Sequence, residues 1–234
     1  MDQAAQRKWD EWARDHQDLL GSVERGPDAE QTRRVAADLA EKLELGPEDR
    51  LLDVGCGSGL LLSLLQVASG ADVFGVDFAP SQLALGRHHF PDIPFAAACA
   101  EAVPFADGSF TKVLCYGVWH YVESWQETLD RLVALVRPPG IVLIGDLPSR
   151  HHRHRLYLQY FKKLPSLLVR PGLFMRKLHY SQETSHWHWI DLKETRAYVE
   201  SRGHRAEVLP QPKGHRQYGS VTHVYRFDLK VRVE

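Results

Sequence analysis

Apolar residues in the first 45 positions recur at three- and four-residue spacing, which predicts amphipathic helices. One such face runs from Trp9 to Leu20, and a second runs from Val35 to Leu43. The sequence Gly26-Pro27-Asp28 separates the two faces, and glycine and proline at this place are typical of a break between helices. We therefore expect a helical flap over residues 1–45.

From residue 50 the pattern changes to short apolar runs that alternate with stretches at helical spacing. The apolar runs are Leu51–Val54, Val73–Val76, Phe95–Ala98, Val113–Tyr116 and Ile141–Ile144. The helical stretches between them are Leu60–Ala68, Ser81–Arg87 and Gln126–Val136. This alternation is typical of βαβ units on a parallel sheet. Two later runs, Ala206–Leu209 and Val221–Val233, predict an antiparallel hairpin at the sheet edge.

Composition restricts the class of protein without naming a function. The chain has 234 residues, 44% of them hydrophobic and 25% charged, with a net charge of −1, which disfavours a disordered or fibrous protein. It contains neither an apolar run long enough to span a membrane nor the apolar core of a secretory signal near residue 1. Three cysteines, Cys56, Cys99 and Cys115, fit neither a disulfide framework nor a CxxC metal site. We expect one cytoplasmic domain over residues 1–234, as a monomer or homodimer.

Charge is concentrated in residues 150–189, which hold eight Lys or Arg residues against a single acid, Glu183. Six of the 13 histidines lie in the same segment. We expect a helical cap over residues 148–190, inserted after the fifth strand. Its charge has three interpretations: a solvated helix, attraction of an anionic or carrier-bound substrate, or contact with an anionic membrane or RNA. The density of the charge favours the second.

The most informative stretch is Asp53-Val54-Gly55-Cys56-Gly57-Ser58-Gly59, which follows an apolar run and precedes a helical one. Glycines are needed where the backbone turns tightly and approaches a ligand closely. Asp77 closes the next predicted strand, where an acid that binds ribose hydroxyls is expected. The G-x-G-x-G spacing differs from the G-x-G-x-x-G of dinucleotide-binding folds.

This turn resembles motif I of the class I S-adenosylmethionine (SAM)-dependent methyltransferases, specifically the small-molecule group often called type 11 or ubiquinone-biosynthesis-like. The resemblance covers about residues 48–146. It continues through Asp77–Leu83, Ala98–Phe105, Asp107–Phe110, Tyr116–Val122 and Leu135–Ile141. It implies a doubly wound, seven-stranded, mostly parallel sheet in the order 3-2-1-4-5-7-6. The SAM-binding core would occupy residues 48–146, and a helix and strand hairpin would occupy 191–234.

The resemblance also implies a set of SAM contacts. Asp53 and the glycine turn would face the methionine moiety, and Asp77 would accept hydrogen bonds from both ribose hydroxyls. The family usually has an acid beside the adenine amino group where this chain has Cys99, so Glu101 or a carbonyl would replace it. The implied set is Asp53, Gly55, Cys56, Gly57, Gly59, Asp77, Phe78, Gln82, Cys99, Ala100, Glu101, Tyr116 and His120.

Two residues are candidates for the base that accepts an acceptor's proton. His120 follows the fourth strand and Asp146 closes the fifth, at the edge where open α/β sheets bind ligands. His120 would otherwise only shape the SAM pocket. Aromatic and histidine residues of the flap, the fourth-strand exit and the cap would line the acceptor pocket: Trp9, Trp12, Trp119, Tyr157, Tyr160, His186, Trp187 and His188. No metal site is expected, because the histidines lack metal-ligand spacing with a carboxylate.

The expected reaction is methyl transfer from SAM to a small molecule, which leaves S-adenosylhomocysteine (SAH). Oxygen is preferred over nitrogen or carbon as the acceptor because two candidate bases flank the site. A nucleic-acid acceptor is not expected, since Cys115-Tyr116-Gly117-Val118 lacks the signature of enzymes that methylate base amino groups. Two alternatives stay open: a cyclase or rearrangement catalyst that keeps SAM as a structural cofactor, and a non-enzymatic SAM-binding regulatory module.

Overall fold

The computed structural model describes residues 3–22, 29–150, 189–211 and 226–234. Within these residues seven strands form one sheet in the order β3-β2-β1-β4-β5-β7-β6. The strands are β1 (Arg50–Val54), β2 (Asp72–Asp77), β3 (Phe95–Ala97), β4 (Phe110–Tyr116), β5 (Val136–Pro148), β6 (Arg205–Pro210) and β7 (Arg226–Val233). This order confirms the expected fold class.

Parallel pairing runs from β3 to β5, and β7 then pairs antiparallel with both β5 and β6. The direction of strand connection reverses at β1, which has β2 on one side and β4 on the other. Ligands of open α/β sheets bind at such a reversal, outside the carboxyl ends of the strands. By this rule the expected ligand crevice lies after Val54 and Tyr116.

Seven α-helices are described, numbered here in chain order. They are α1 (Gln3–Asp15), α2 (Leu19–Ser22), α3 (Ala29–Leu43), α4 (Leu60–Ser69), α5 (Pro80–His89), α6 (Trp125–Ala134) and α7 (Leu192–Ser201). Two 3₁₀ helices lie at Ala100–Ala102 and Trp119–Tyr121. None of the helices in the described ranges is long and apolar enough to cross a bilayer.

The helical prediction was too long in two places. The face predicted from Trp9 to Leu20 is divided, because His16 ends α1: its ring stacks on Trp12 and its Nδ1 lies 3.0 Å from the Trp12 carbonyl oxygen. The stretch predicted to continue to Val136 ends at Ala134, since Val136 already belongs to β5.

Two hydrophobic cores lie on the two faces of the sheet. Successive strand residues point to opposite faces, and in β1 Leu51 belongs to one core and Leu52 to the other. The first core is completed by α3, α4 and α5, and the second by α6 and α7. Coverage of both faces by helices is the reason the central strands are apolar on both sides.

Candidate active site

A turn of three glycines joins β1 to α4. Gly55, Gly57 and Gly59 have φ of 81°, 56° and 75°, a left-handed backbone that L side chains rarely adopt. The amides of Gly55 and Cys56 both donate to the carbonyl of Val76, at 2.8 and 3.0 Å, which fastens the turn to the end of β2.

Neighbouring side chains fill the space that a β-carbon in this turn would need. A Cβ at Gly55 would lie 2.0 Å from Cγ2 of Val118, and one at Gly59 would lie 2.6 Å from Cζ of Phe95. Glycine is therefore required here by both dihedral angle and packing. The turn lies at the carboxyl end of β1, next to the neighbouring strand β4.

Asp77 ends β2 directly beside the glycine turn. Its Oδ2 accepts a hydrogen bond from the amide of Gly57 at 2.8 Å, and its Oδ1 accepts one from the amide of Ala79 at 2.9 Å. Each carboxylate oxygen keeps a second lone pair for another donor. The arrangement therefore fits a vicinal diol, such as that of a ribose, at the position that the sequence predicted.

Burial changes the acid strength of Asp77, which is only 6% exposed. Desolvation raises the pKa of its carboxyl from the ordinary 3.8 to about 6, against the amide hydrogen bonds from Ala79 and Gly57, which lower it. Asp77 consequently changes charge in a pH range where binding can be measured.

Asp53 in β1, Cys56 in the turn that follows it and Cys115 in β4 are buried. Asp53 is 2% exposed, and it pairs in register with Gly75 of β2 and Leu114 of β4. Burial, followed by the charges of Asp77 and Asp53, raises the pKa of the Cys56 thiol well above its usual value. Burial also raises the pKa of Cys115. Because the thiolate is the nucleophilic form, both cysteines act as small packing residues.

The segment that the resemblance assigns to adenine lies at the carboxyl ends of β2 and β3. Gln82 and Ala100 are buried, at 2% each, whereas Phe78 and Cys99 are partly exposed. Ala100 and Glu101 belong to the first 3₁₀ helix. The structure thus gathers these predicted contacts on the β2–β3 side of the crevice.

Helix α1 packs against this segment through contacts that the sequence analysis did not identify. Gln6 donates from Nε2 to the carbonyl oxygen of Phe78 at 2.7 Å, and Oδ1 of Asp10 accepts from the amide of Ser81 at 2.9 Å. A carboxylate at the amino end of α5 is stabilised by the free amides and dipole of that helix. The spacing of Gln6, Asp10 and Ala13 along one helical face was a signal that could have revealed the contact.

The second 3₁₀ helix places Trp119 and His120 after β4. Trp119 is 1% exposed and belongs to the core, and His120 is 5% exposed with its ring centroid 4.2 Å from that of Tyr121. Tyr116 ends β4, and its hydroxyl accepts a hydrogen bond from Nε2 of Gln211 at 3.3 Å. Trp9 and Trp12, the other predicted pocket residues in the described ranges, are half-buried on α1.

Asp146 lies near the end of β5, on the same edge as Tyr116. It is 7% exposed, and its φ of 61° is left-handed. Arg226 donates from Nη1 to the Asp146 carbonyl at 2.7 Å, and its Nε lies 3.6 Å from Oδ1 of the Asp146 carboxylate. The amide of Asp146 donates to Oδ1 of Asp228 at 3.0 Å.

The sequence analysis missed Arg226 and Asp228, which lie on β7. They share one strand face with Lys230, and all three are buried, with exposed fractions of 5%, 0% and 5%. Charges of both signs alternating with apolar residues were the available signal, but such a pattern is also typical of a solvent-facing strand. The predicted residues Tyr157, Tyr160, His186, Trp187 and His188 lie outside the described residues.

Comparison with known proteins agrees with this geometry. A family model described as "Methyltransferase domain" matches residues 52–144. The chain is 35% identical over 149 residues to a demethylmenaquinone methyltransferase of Chlorobaculum parvum, a match that covers 62% of this chain and 60% of that protein. It is 37% identical over 122 residues to the Thermus thermophilus protein of the same name, covering 50% and 54%. The matches thus span less than two thirds of these relatives.

Solved structures share the fold at low identity. A chain from the complex of the Haloferax volcanii Trm112 methyltransferase activator with a methyltransferase superposes with a TM-score of 0.69 at 15% identity, covering 97% of both chains. Geranyl diphosphate C-methyltransferase of Streptomyces coelicolor gives a TM-score of 0.63 at 14% identity, covering 86% of this chain and 79% of that one. Residues 52–144 thus match the model of a methyltransferase domain, and the solved structures show that the chain shares the fold of methyltransferases.

Proposed function

We propose that this chain transfers the methyl group of SAM to a small-molecule acceptor and releases SAH. The observation that carries this proposal is the paired arrangement of the Asp77 carboxylate with the amides of Gly57 and Ala79, beside a glycine turn that leaves no room for side chains. The carboxylate would bind the ribose hydroxyls, and the turn would admit the methionine moiety. Bound SAM supplies an electrophilic methyl group on its sulfonium.

The reaction needs alignment more than acid–base power. The sulfonium loses its charge as the methyl group moves to the acceptor, so a dry site that holds the acceptor in line favours transfer. Burial of Trp119 and His120 next to the crevice supports such exclusion of water. Helix α1 would help to exclude water on the β2–β3 side, where Gln6 and Asp10 bind the backbone of Phe78 and Ser81.

Oxygen is the acceptor atom that we propose first. A hydroxyl acceptor must lose its proton during or after transfer, and His120 or Asp146 would receive it. The basic segment 150–189 would attract an anionic or carrier-linked acceptor. Carbon is the second candidate, because one solved neighbour is named a geranyl diphosphate C-methyltransferase and a relative from Caenorhabditis elegans is named a sterol 4-C-methyltransferase.

A binding experiment tests the cofactor assignment. Calorimetric titration with SAM and SAH should show micromolar binding, and titration with NAD should show none. Asp77→Ala should weaken SAH binding by about 100-fold, since a charge-assisted pair of hydrogen bonds is lost. Asp72→Ala is the matched control: Asp72 begins the same strand, is exposed, and pairs only at the surface with Arg50. Equal affinity of the two variants would refute the ribose assignment.

An activity experiment then separates the proposed reaction from its alternatives. Purified protein, SAM and a panel of hydroxylated, anionic and quinone acceptors should yield SAH and a product heavier by one methyl group. His120→Ala and Asp146→Asn, assayed over pH, should identify the base, because the variant that lacks it loses the fall in rate at low pH that protonation of the base causes. Tight SAM binding with a rearranged but unmethylated product would instead support the cyclase alternative, and binding with no turnover would support the regulatory module.

A further inference from the structure

The end of β5 contains a bulge at Asp146. Ile144 pairs with Leu229 and Leu147 pairs with Phe227, so Gly145 and Asp146 together lie opposite one residue of β7, which is Asp228. Bulges of this kind redirect a side chain and occur next to active sites. The left-handed φ of Asp146 is costly for a residue that carries a β-carbon, so the surroundings must hold it in place.

Asp228 helps to hold Asp146 in this conformation. Its hydrogen-bond partners are all donors, which a carboxylate accepts best. Its Oδ1 accepts from the amide of Asp146 at 3.0 Å and from Nε2 of Gln211 at 3.0 Å. Its Oδ2 accepts from Nζ of Lys42 at 2.6 Å. Three donors therefore converge on two oxygens. An asparagine in this position would turn its amide nitrogen toward one of them and leave two donors facing each other.

The Lys42 ammonium offsets the free-energy cost of burying the Asp228 carboxylate. Burial alone would lower the pKa of Lys42, but the charge of Asp228 and its hydrogen bond, with those of Asp38, raise it above the usual value. Lys42 is therefore positively charged where Asp228 is fully buried. The contact ties α3 to the strand that supports the bulge.

We propose that Asp228 is a positioning residue of the candidate active site. It holds the Asp146 bulge and thereby fixes the carboxylate of Asp146, next to Arg226, at the carboxyl edge of the sheet. The role in turnover rests on the proposed function, whereas the support of the bulge does not.

The first test measures turnover and binding in Asp228→Asn. We expect kcat to fall at least tenfold while the Kd for SAH changes less than threefold, because the SAM side of the crevice is untouched. The double variant Asp146→Asn/Asp228→Asn should be no more than threefold slower than Asp146→Asn alone. Glu44→Gln is the matched control, since it removes a more exposed ion pair with β7 and should keep kcat within twofold. An unchanged kcat in Asp228→Asn, or fully multiplicative losses in the double variant, would overturn the role in turnover.

The second test needs no turnover. Glycine adopts a left-handed φ freely, so in the Asp146→Gly variant the stability of the fold should depend less on Asp228. Asp228→Asn should raise the equilibrium constant of unfolding in both the wild type and the Asp146→Gly variant. The factor of this increase should be at least fivefold smaller in the Asp146→Gly variant. If Asp228→Asn alone does not fold, Asp146→Gly should restore folding. An equal effect of Asp228→Asn in the two proteins, or a double variant that still does not fold, would refute the proposal that Asp228 supports the bulge.

The two tests separate the two proposals. Wild-type protein that transfers no methyl group would refute the proposed function, and the unfolding measurements would still decide whether Asp228 supports Asp146.

Discussion

Asp77 and Asp146 are buried acids at the carboxyl ends of β2 and β5, on opposite sides of the strand reversal, and they are held in different ways. Backbone amides of Gly57 and Ala79 hold Asp77, at most 20 residues away along the chain. Two charged side chains of β7, those of Arg226 and Asp228, hold Asp146 from 80 or more residues away along the chain. The β1–β3 half thus holds its acid with local backbone, and the β5–β7 half holds its acid with long-range side-chain contacts. The contacts that hold Asp77 could therefore be predicted from the sequence, whereas those that hold Asp146 could not.

The largest expected effect is that of Gly55→Ala, which breaks the β1–β3 half. The new Cβ would overlap Val118 and adopt an unfavourable φ, so we expect a loss of about 3 kcal/mol in the free energy of unfolding and at least 100-fold in SAH affinity. Chemical denaturation and calorimetry measure the two effects. Gly203→Ala is the matched control, because Gly203 has a φ of 85° but nothing within 4 Å of a Cβ, and it should cost only about 1 kcal/mol. Equal losses in both variants would show that packing against Val118 is unimportant.

Gly145→Ala is the corresponding change in the β5–β7 half. Its Cβ would lie 2.3 Å from Cδ2 of Tyr116, so the ring must move and its hydrogen bond with Gln211 must adjust, at a cost of about 2 kcal/mol. We expect methyl transfer to fall more than SAH affinity, which should change less than tenfold. The measurement pairs a rate assay with calorimetry. An affinity loss as large as that of Gly55→Ala would contradict the division into two halves.

The pKa of Asp77 predicts opposite pH effects on binding and on folding. SAH affinity should fall about tenfold per pH unit below pH 6, because the protonated carboxyl accepts hydrogen bonds poorly. The folded pKa is raised above the unfolded one, so the contribution of Asp77 to stability is fully present below about pH 4 and is lost as the pH rises to about 6. Relative to Asp77→Asn, the wild type without cofactor should lose up to about 3 kcal/mol over this range. A pH-independent difference would contradict the raised pKa.

The smallest effect concerns Glu44, which follows α3 and contacts Lys230 and Arg232 of β7. Hydrogen bonds from Arg232 and Lys230 lower the pKa of Glu44 from 4.5 to about 2. Its contribution to stability is therefore present above pH 4.5 and is lost as the pH falls toward 2. Because the side chain is about half exposed, Glu44→Gln should cost less than about 1 kcal/mol at pH 7, and salt should reduce this cost. A larger, salt-independent cost would show that the pair behaves as a buried one.

The sequence predicted the parallel strands and the glycine turn because both follow from local signals, whereas the order of the strands was implied by the resemblance to the methyltransferase family. Alternating apolar runs specify parallel strands, and three glycines before a helix specify the turn. The division of the first helix at His16 escaped prediction, since it depends on a ring that folds back on Trp12. The apolar spacing alone carries no sign of that contact.

The Asp146 site was only half predictable. Its position after β5 followed from the strand pattern, but its bulge depends on Asp228, which pairing places opposite it from 82 residues away. Burial of Arg226, Asp228 and Lys230 could not be inferred, because alternation of charged and apolar residues equally describes a solvent-facing strand. The fold converts that alternation into a buried row of charges by placing β7 between β5 and β6.

The contrast among the three cysteines would let the protein report on its proposed cofactor. Cys56 and Cys115 are buried with raised thiol pKa values, whereas Cys99 is partly exposed. A maleimide dye should therefore attach at Cys99 without any engineered substitution. The label would lie directly before Ala100, in the segment matched to adenine, so its fluorescence would follow cofactor exchange in real time.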